Sequence, residues 1–168
     1  MLNISTVSFV YDSTEDRIRM ICDVASDKRI DLWLTRNMVI NWFMITEQLL
    51  TKGSKWTGDV NKNAIADIMK MEHEDNLERT TEQVTQVDGV SLNITPQLIQ
   101  KIDISTTTES YVLEFSSHEP VAKVNFNEEM MHRLMNMLAA SIEKTNWGIN
   151  QGLFSTMDVK PSENRTLQ

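Results

Sequence analysis

A chain of 168 residues, 40% apolar and 24% charged, carries enough apolar surface for one core, and that composition excludes wholesale disorder. Its 24 acidic against 16 basic residues, a formal charge of −8, exclude a protein whose main task is neutralising phosphates, because such binding draws on clustered Lys and Arg. The single cysteine, Cys22, excludes an internal disulfide framework and fits a reducing, cytoplasmic setting, with neither a signal-peptide pattern nor a membrane-length apolar run to suggest otherwise.

Val7, Phe9 and Tyr11 alternate with Ser8 and Val10, which predicts a first strand. Asp12-Ser13-Thr14-Glu15-Asp16 is rich in turn formers. Ile18, Met20, Cys22 and Val24 then alternate through a second strand, and Ile30, Leu32 and Leu34 through a third. Three strands joined by short polar turns make an antiparallel meander whose apolar face the following segment can cover. Thr35 is a candidate N-cap there, and Met38, Trp42, Ile45 and Leu49 predict the apolar stripe of a helix that stops at Gly53.

Residues 54–97 read as a connector with its own elements. The pattern is helical over 61–83, with Ile65, Ile68 and Met69 apolar and then acidic residues, and strand-like over 84–95, closed by Pro96. The strand order then restarts with Ile102 and Ile104, continues with Tyr111, Leu113 and Phe115, and ends with Ala122, Val124 and Phe126. Asn127 caps a predicted helix with Glu128 and Glu129 in its first turn, where the macrodipole favours acid. Its expected stripe is Met130, Leu134, Met137, Leu138 and Ile142. Laying Thr35 on Asn127 and Leu34 on Phe126 aligns the two strand-to-helix stretches. The expectation is an α+β fold of two pseudo-repeated β-β-β-α units, antiparallel sheets packed by helices, plus a middle helix. Residues 1–149 would form a single domain built from halves 1–53 and 98–149, with 150–168 a mobile polar tail.

Nothing in the chain predicts a catalytic residue, a metal site or a cofactor. His73 has Met69, Lys70, Asn76 and Leu77 at helical spacing, so no carboxylate or second histidine shares its face. His118 falls in a hairpin loop, and His132 flanks the apolar stripe of the last helix. Cys22 sits on the apolar face of its strand, and neither a nucleophile elbow nor a phosphate-cradling glycine loop exists.

Most of the 11 methionines read as core. Met131 and Met135 fall partly off the expected stripe and are the best candidates among them for contact with a partner. Trp33 is an anomaly, a large aromatic on the polar side of its strand. It marks an interface, a base-stacking platform, or a position covered by the middle helix. Val10 and Ile21 share its face, so Val10, Ile21, Trp33, Met131 and Met135 form the expected interaction surface. Trp147, just beyond the last helix, reads as a lid on the core.

The segments EDRIRMICDVASDKRIDLWLTRNMVINWF (15–43) and HEDNLERTTEQV (73–84), with the closing Asn146-Trp147-Gly148, resemble a family of uncharacterised proteobacterial proteins. Leu32-Trp33-Leu34-Thr35-Arg36 is the most recognisable piece of that likeness, which implies a discrete domain and no particular activity. The topology is more weakly similar to the Whirly and Pur-alpha group, in which repeated strands followed by a helix bind single-stranded nucleic acid. Three strands per copy where four are expected, and the negative charge, depart from that group. The leading expectation is a non-enzymatic module that binds a protein partner or itself, as a homodimer. The alternative is a single-strand nucleic-acid binder using Tyr11 and Trp33 with Arg17, Arg19, Lys28 and Arg29, and the third is an enzyme of unassigned type.

Overall fold

The computed structural model describes residues 1–24, 28–53, 67, 70–72, 74–75, 95–107 and 110–149. The order is β1 (Leu2–Asp12), β2 (Arg17–Val24), β3 (Lys28–Leu34), α1 (Arg36–Gly53), β4 (Gln97–Leu98), β5 (Lys101–Thr106), β6 (Tyr111–Ser116), β7 (Pro120–Phe126) and α2 (Glu128–Ile142). The class is α+β: three strands precede α1, and four, the first of only two residues, precede α2. Residues 67, 70–72, 74 and 75 are helical, within the stretch read as a middle helix. The rest of 61–83 with His73, all but Thr95 of the strand expected at 84–95, and the tail 150–168 lie outside the described residues.

The strands form one sheet in the order β4-β3-β2-β1-β7-β6-β5. Its two outermost strands are successive stretches of one short segment. Gln97 and Leu98 pair in parallel with Leu32 and Trp33, and the Ile99 N–H donates to the Trp33 carbonyl. The Gln100 N–H then donates to the Ser116 carbonyl, and Lys101 onward pairs antiparallel with β6. The sheet therefore curls until its two margins meet at residues 97–101. β1 makes a second seam. Leu2 and Asn3 pair in parallel with Ala122 and Lys123, and past a register shift at Ile4 to Thr6 the strand runs antiparallel to β2.

Alternation decides what this sheet encloses. Phe9, Met20 and Leu32 stand in one cross-strand row, and Ile104, Leu113 and Val124 in another, all turned to the same apolar interior. Trp42 of α1 meets Phe9 of β1 at 6.3 Å and Phe115 of β6 at 5.8 Å, both edge to face. One aromatic side chain thus joins strands from both ends of the chain. α2 lies against β1, where Ser141 Oγ donates to the Phe9 carbonyl at 3.3 Å.

Both helix caps form as expected. Asn127 Oδ1 accepts the Met130 N–H at 2.8 Å, and Thr35 Oγ1 accepts the Met38 N–H at 3.4 Å. The apolar stripe of α1 is rotated from the expected one, whereas that of α2 keeps Leu134, Leu138 and Ile142 and has Met131 and Met135 buried in place of Met130 and Met137. α1 buries Val39, Trp42, Phe43, Thr46 and Leu50, leaving Met38 half-buried and Ile45 43% exposed. α2 leaves Met130 exposed. In α1 the expected and observed stripes differ by about one residue, roughly a quarter turn. The aromatic contacts of Trp42 and the seat of α2 on β1 select one reading over the other.

Candidate interaction site

The expected interaction surface does not assemble. Met131 and Met135 are 0% exposed and belong to the core, so they are not part of an exposed surface. Ile21 is also buried, although it lies on the sheet face away from the apolar interior. Val10, 38% exposed, and half-buried Trp33 remain, in register on either side of Arg19.

That row is organised by Asp31. Arg19 binds Asp31 Oδ2 through Nε at 2.7 Å and through Nη2, and Arg29 Nε binds Oδ1 at 3.0 Å. A carboxylate with essentially no exposure thus holds two guanidinium groups, each bond charge-assisted. The Arg19 guanidinium carbon lies 5.9 Å over the Trp33 ring, a cation–π distance that gives this aromatic a structural task on its polar face. Tyr11 and Trp33 face opposite sides of the sheet, because Tyr11 is in register with Ile18 and Leu34, and Trp33 with Arg19. Of the aromatic and cationic set expected of a single-strand binder, Arg17, Arg19, Arg29 and Trp33 therefore share one sheet face, and Tyr11 lies on the other.

Tyr11 is engaged on the inner side. Its hydroxyl and the Trp147 Nε1–H both donate to Asp16 Oδ1, each at 2.7 Å. Asp16 sits in the β1–β2 turn at φ 49, a left-handed backbone that Asp tolerates better than most residues. The two donors, with help from the Arg36 charge, hold its carboxyl below the usual carboxylate range. The same bond, then burial and the charges of Asp16 and Asp12, push the Tyr11 phenol up. Trp147 is a core residue, as its reading as a lid required. Burial pushes the Cys22 thiol far up, which leaves it inert. His132 is fully buried in α2 and His118 is exposed in the β6–β7 turn. Among the described residues no group of three His, Cys, Asp or Glu side chains is placed to hold a metal ion.

A different surface has the form of a binding site. Between α1 and residues 98–104 runs a groove of about 470 Å³, lined by Thr35, Asn37, Met38, Asn41, Trp42 and Ile45 on the helix. Its other wall is Leu98, Ile99, Gln100, Lys101, Ile102 and Ile104. Lys101 is the one charged residue among them. Ile45 and Leu98, 38% exposed, stand at its sides, and Met44, 49% exposed, lies next to Ile45 beside a shallower hollow of about 330 Å³. Trp42 Nε1 is buried on the groove wall and has no hydrogen-bond partner. Buried indole N–H groups ordinarily find one.

The sequence reading missed this groove because its walls lie more than fifty residues apart and one of them, β4, is a two-residue strand without periodicity. A clue was available in Ile45, an apolar residue that the rotated stripe leaves outside. No helix among the described residues is long and apolar enough to cross a membrane. No family model, no curated protein and no solved structure matches this chain.

Proposed function

We propose that this protein is a non-enzymatic interaction module that receives an apolar protein segment in the groove between α1 and residues 98–104. The observation that carries the reading is the combination of an almost uncharged groove with large apolar side chains left exposed in its walls, Ile45 and Leu98. Covering the 38–43% of Ile45 and Leu98 that is still exposed gains roughly 0.6–1.3 kcal/mol each.

The test is binding of an environment-sensitive apolar dye, anilinonaphthalene sulfonate, to submicromolar protein. The wild type should enhance its fluorescence, and Ile45→Glu and Leu98→Lys should each remove most of the enhancement while leaving the circular dichroism spectrum unchanged. Equal enhancement in all three proteins would put the accessible apolar surface elsewhere and overturn the reading.

A further inference from the structure

We infer that the segment this groove receives is β5 of a second copy of the chain, added antiparallel to β5 and centred on Ile102. The inference rests on the groove reading above and names its occupant. β5 closes the strand order, and among the described residues β6 is its only strand neighbour. β3 cannot continue alongside it, because that chain turns into α1 after Leu34. Among the described residues the outward N–H and C=O groups of β5 are thus left for another strand to pair with, as in strand addition to a sheet edge. The groove follows that edge. Its lining includes every residue from Leu98 to Ile102, and consecutive residues point to opposite faces, so the cleft runs along the backbone.

Charge selects both the occupant and the register. A symmetric antiparallel pair that keeps apolar faces together must set residues of like parity opposite one another. Centred on Ile102, such a pair opposes Lys101 to Asp103 of the second copy, and Asp103 to its Lys101. Centred on Asp103, it would oppose carboxylate to carboxylate. Within one chain Asp103 already stands across from Glu114 of β6, a like-charge pairing that costs stability. Its present counter-ion is Lys101 of its own strand, at 2.8 Å, with the two side chains 67% and 48% exposed and free to change partners. A second β5 supplies a lysine directly opposite Asp103. The apolar groove residues beside it, Ile45 and Leu98, would be covered in the same event.

Sedimentation equilibrium over a concentration series tests the pairing. The wild type should reach the mass of a dimer, and dye binding per chain should fall over the same concentrations. Lys101→Asp alone and Asp103→Lys alone should each weaken the dimer by about tenfold or more, since two symmetric pairs become repulsive. An equimolar mixture of those two variants should recover the dimer mass, because each then presents the charges the other needs. Both changes are at exposed side chains, and the recovery in the mixture reports that both variants are folded. A dimer that ignores the single substitutions would overturn the strand pairing and leave self-association through another surface. A wild type that stays monomeric, yet loses dye binding on Ile45→Glu, would overturn the second copy as occupant and leave the groove reading standing. Dye binding indifferent to Ile45→Glu would overturn both.

Discussion

Tyr11 and Trp147 stand edge to face with ring centroids 6.1 Å apart, and both donate a hydrogen bond to the same carboxylate oxygen of Asp16. Two residues of one hairpin and a third from the far end of the chain thus close one end of the core. Asp16 contributes from the turn that joins β1 to β2, and Trp147 from the stretch after α2. Gly148 follows Trp147 at φ 59, a backbone conformation that glycine adopts without strain.

Trp147→Phe is expected to destabilise the fold by about 1–3 kcal/mol, the sum of a lost hydrogen bond to a charged acceptor and a small void. Urea unfolding followed by far-ultraviolet circular dichroism measures it. An unchanged midpoint would mean that the Trp147 ring is not held at the core.

The same cluster sets a pH dependence on both sides. The folded Asp16 carboxyl lies below its unfolded value, so its contribution is complete above the ordinary carboxylate range, about 3.9, and is lost as pH falls through the lower folded value. The folded Tyr11 phenol lies above its unfolded value, so its contribution is complete below about 10 and is lost as pH rises through the raised value. Asp16→Asn keeps a side chain that tolerates positive φ while removing the charge. Melting temperatures across the pH range should show a shallower acid limb for that variant than for the wild type.

Asp31→Ala is expected to cost about 3–5 kcal/mol, because it strands the guanidinium groups of Arg19 and Arg29 without their shared carboxylate. Val10→Thr, on the same sheet face but exposed, should stay within about 0.5 kcal/mol of the wild type. Chemical denaturation of the two variants side by side distinguishes a buried ionic centre from a row of solvated charges.

Met130 and Met131 are adjacent and should behave oppositely. Met131→Lys buries an unpaired ammonium in a fully enclosed position and should prevent folding or cost several kcal/mol. Met130→Lys changes an exposed position in the first turn of α2 and should cost little. Expression and melting temperature of the pair check the assignment of the buried face.

What was readable in the chain is what local periodicity encodes. The alternation of Ile30, Leu32 and Leu34, and of Ala122, Val124 and Phe126, located strands that the structure contains, and Asn127 located a cap that forms. The helix stripes were readable only to within about one residue, since Met38 and Val39, or Met130 and Met131, are both apolar and only the opposing surface chooses between them. The closure of the sheet was not readable. It depends on two parallel contacts of two residues each, Leu2 and Asn3 on β7 and Gln97 and Leu98 on β3, and two residues carry no period. The groove inherits that opacity because closure brings its walls together. The paired arginines on Asp31 escaped for another reason, since alternation assigned Arg19 and Asp31 to a polar face and gave no sign that the face is buried.

The seam between β1 and β7 also bears on how the chain is made. During synthesis Leu2 and Asn3 emerge from the ribosome long before Ala122 and Lys123, their partners in the sheet, and Phe9 waits longer still for Ser141 of α2. β2 and β3 can zip onto β1 early, while the outer part of β1 and the apolar rows it shares with β7 and α2 stay open until more than 140 residues have been translated. A nascent chain stalled before α2 should therefore engage holding chaperones and yield to protease along β1, and release of the complete α2 should end both.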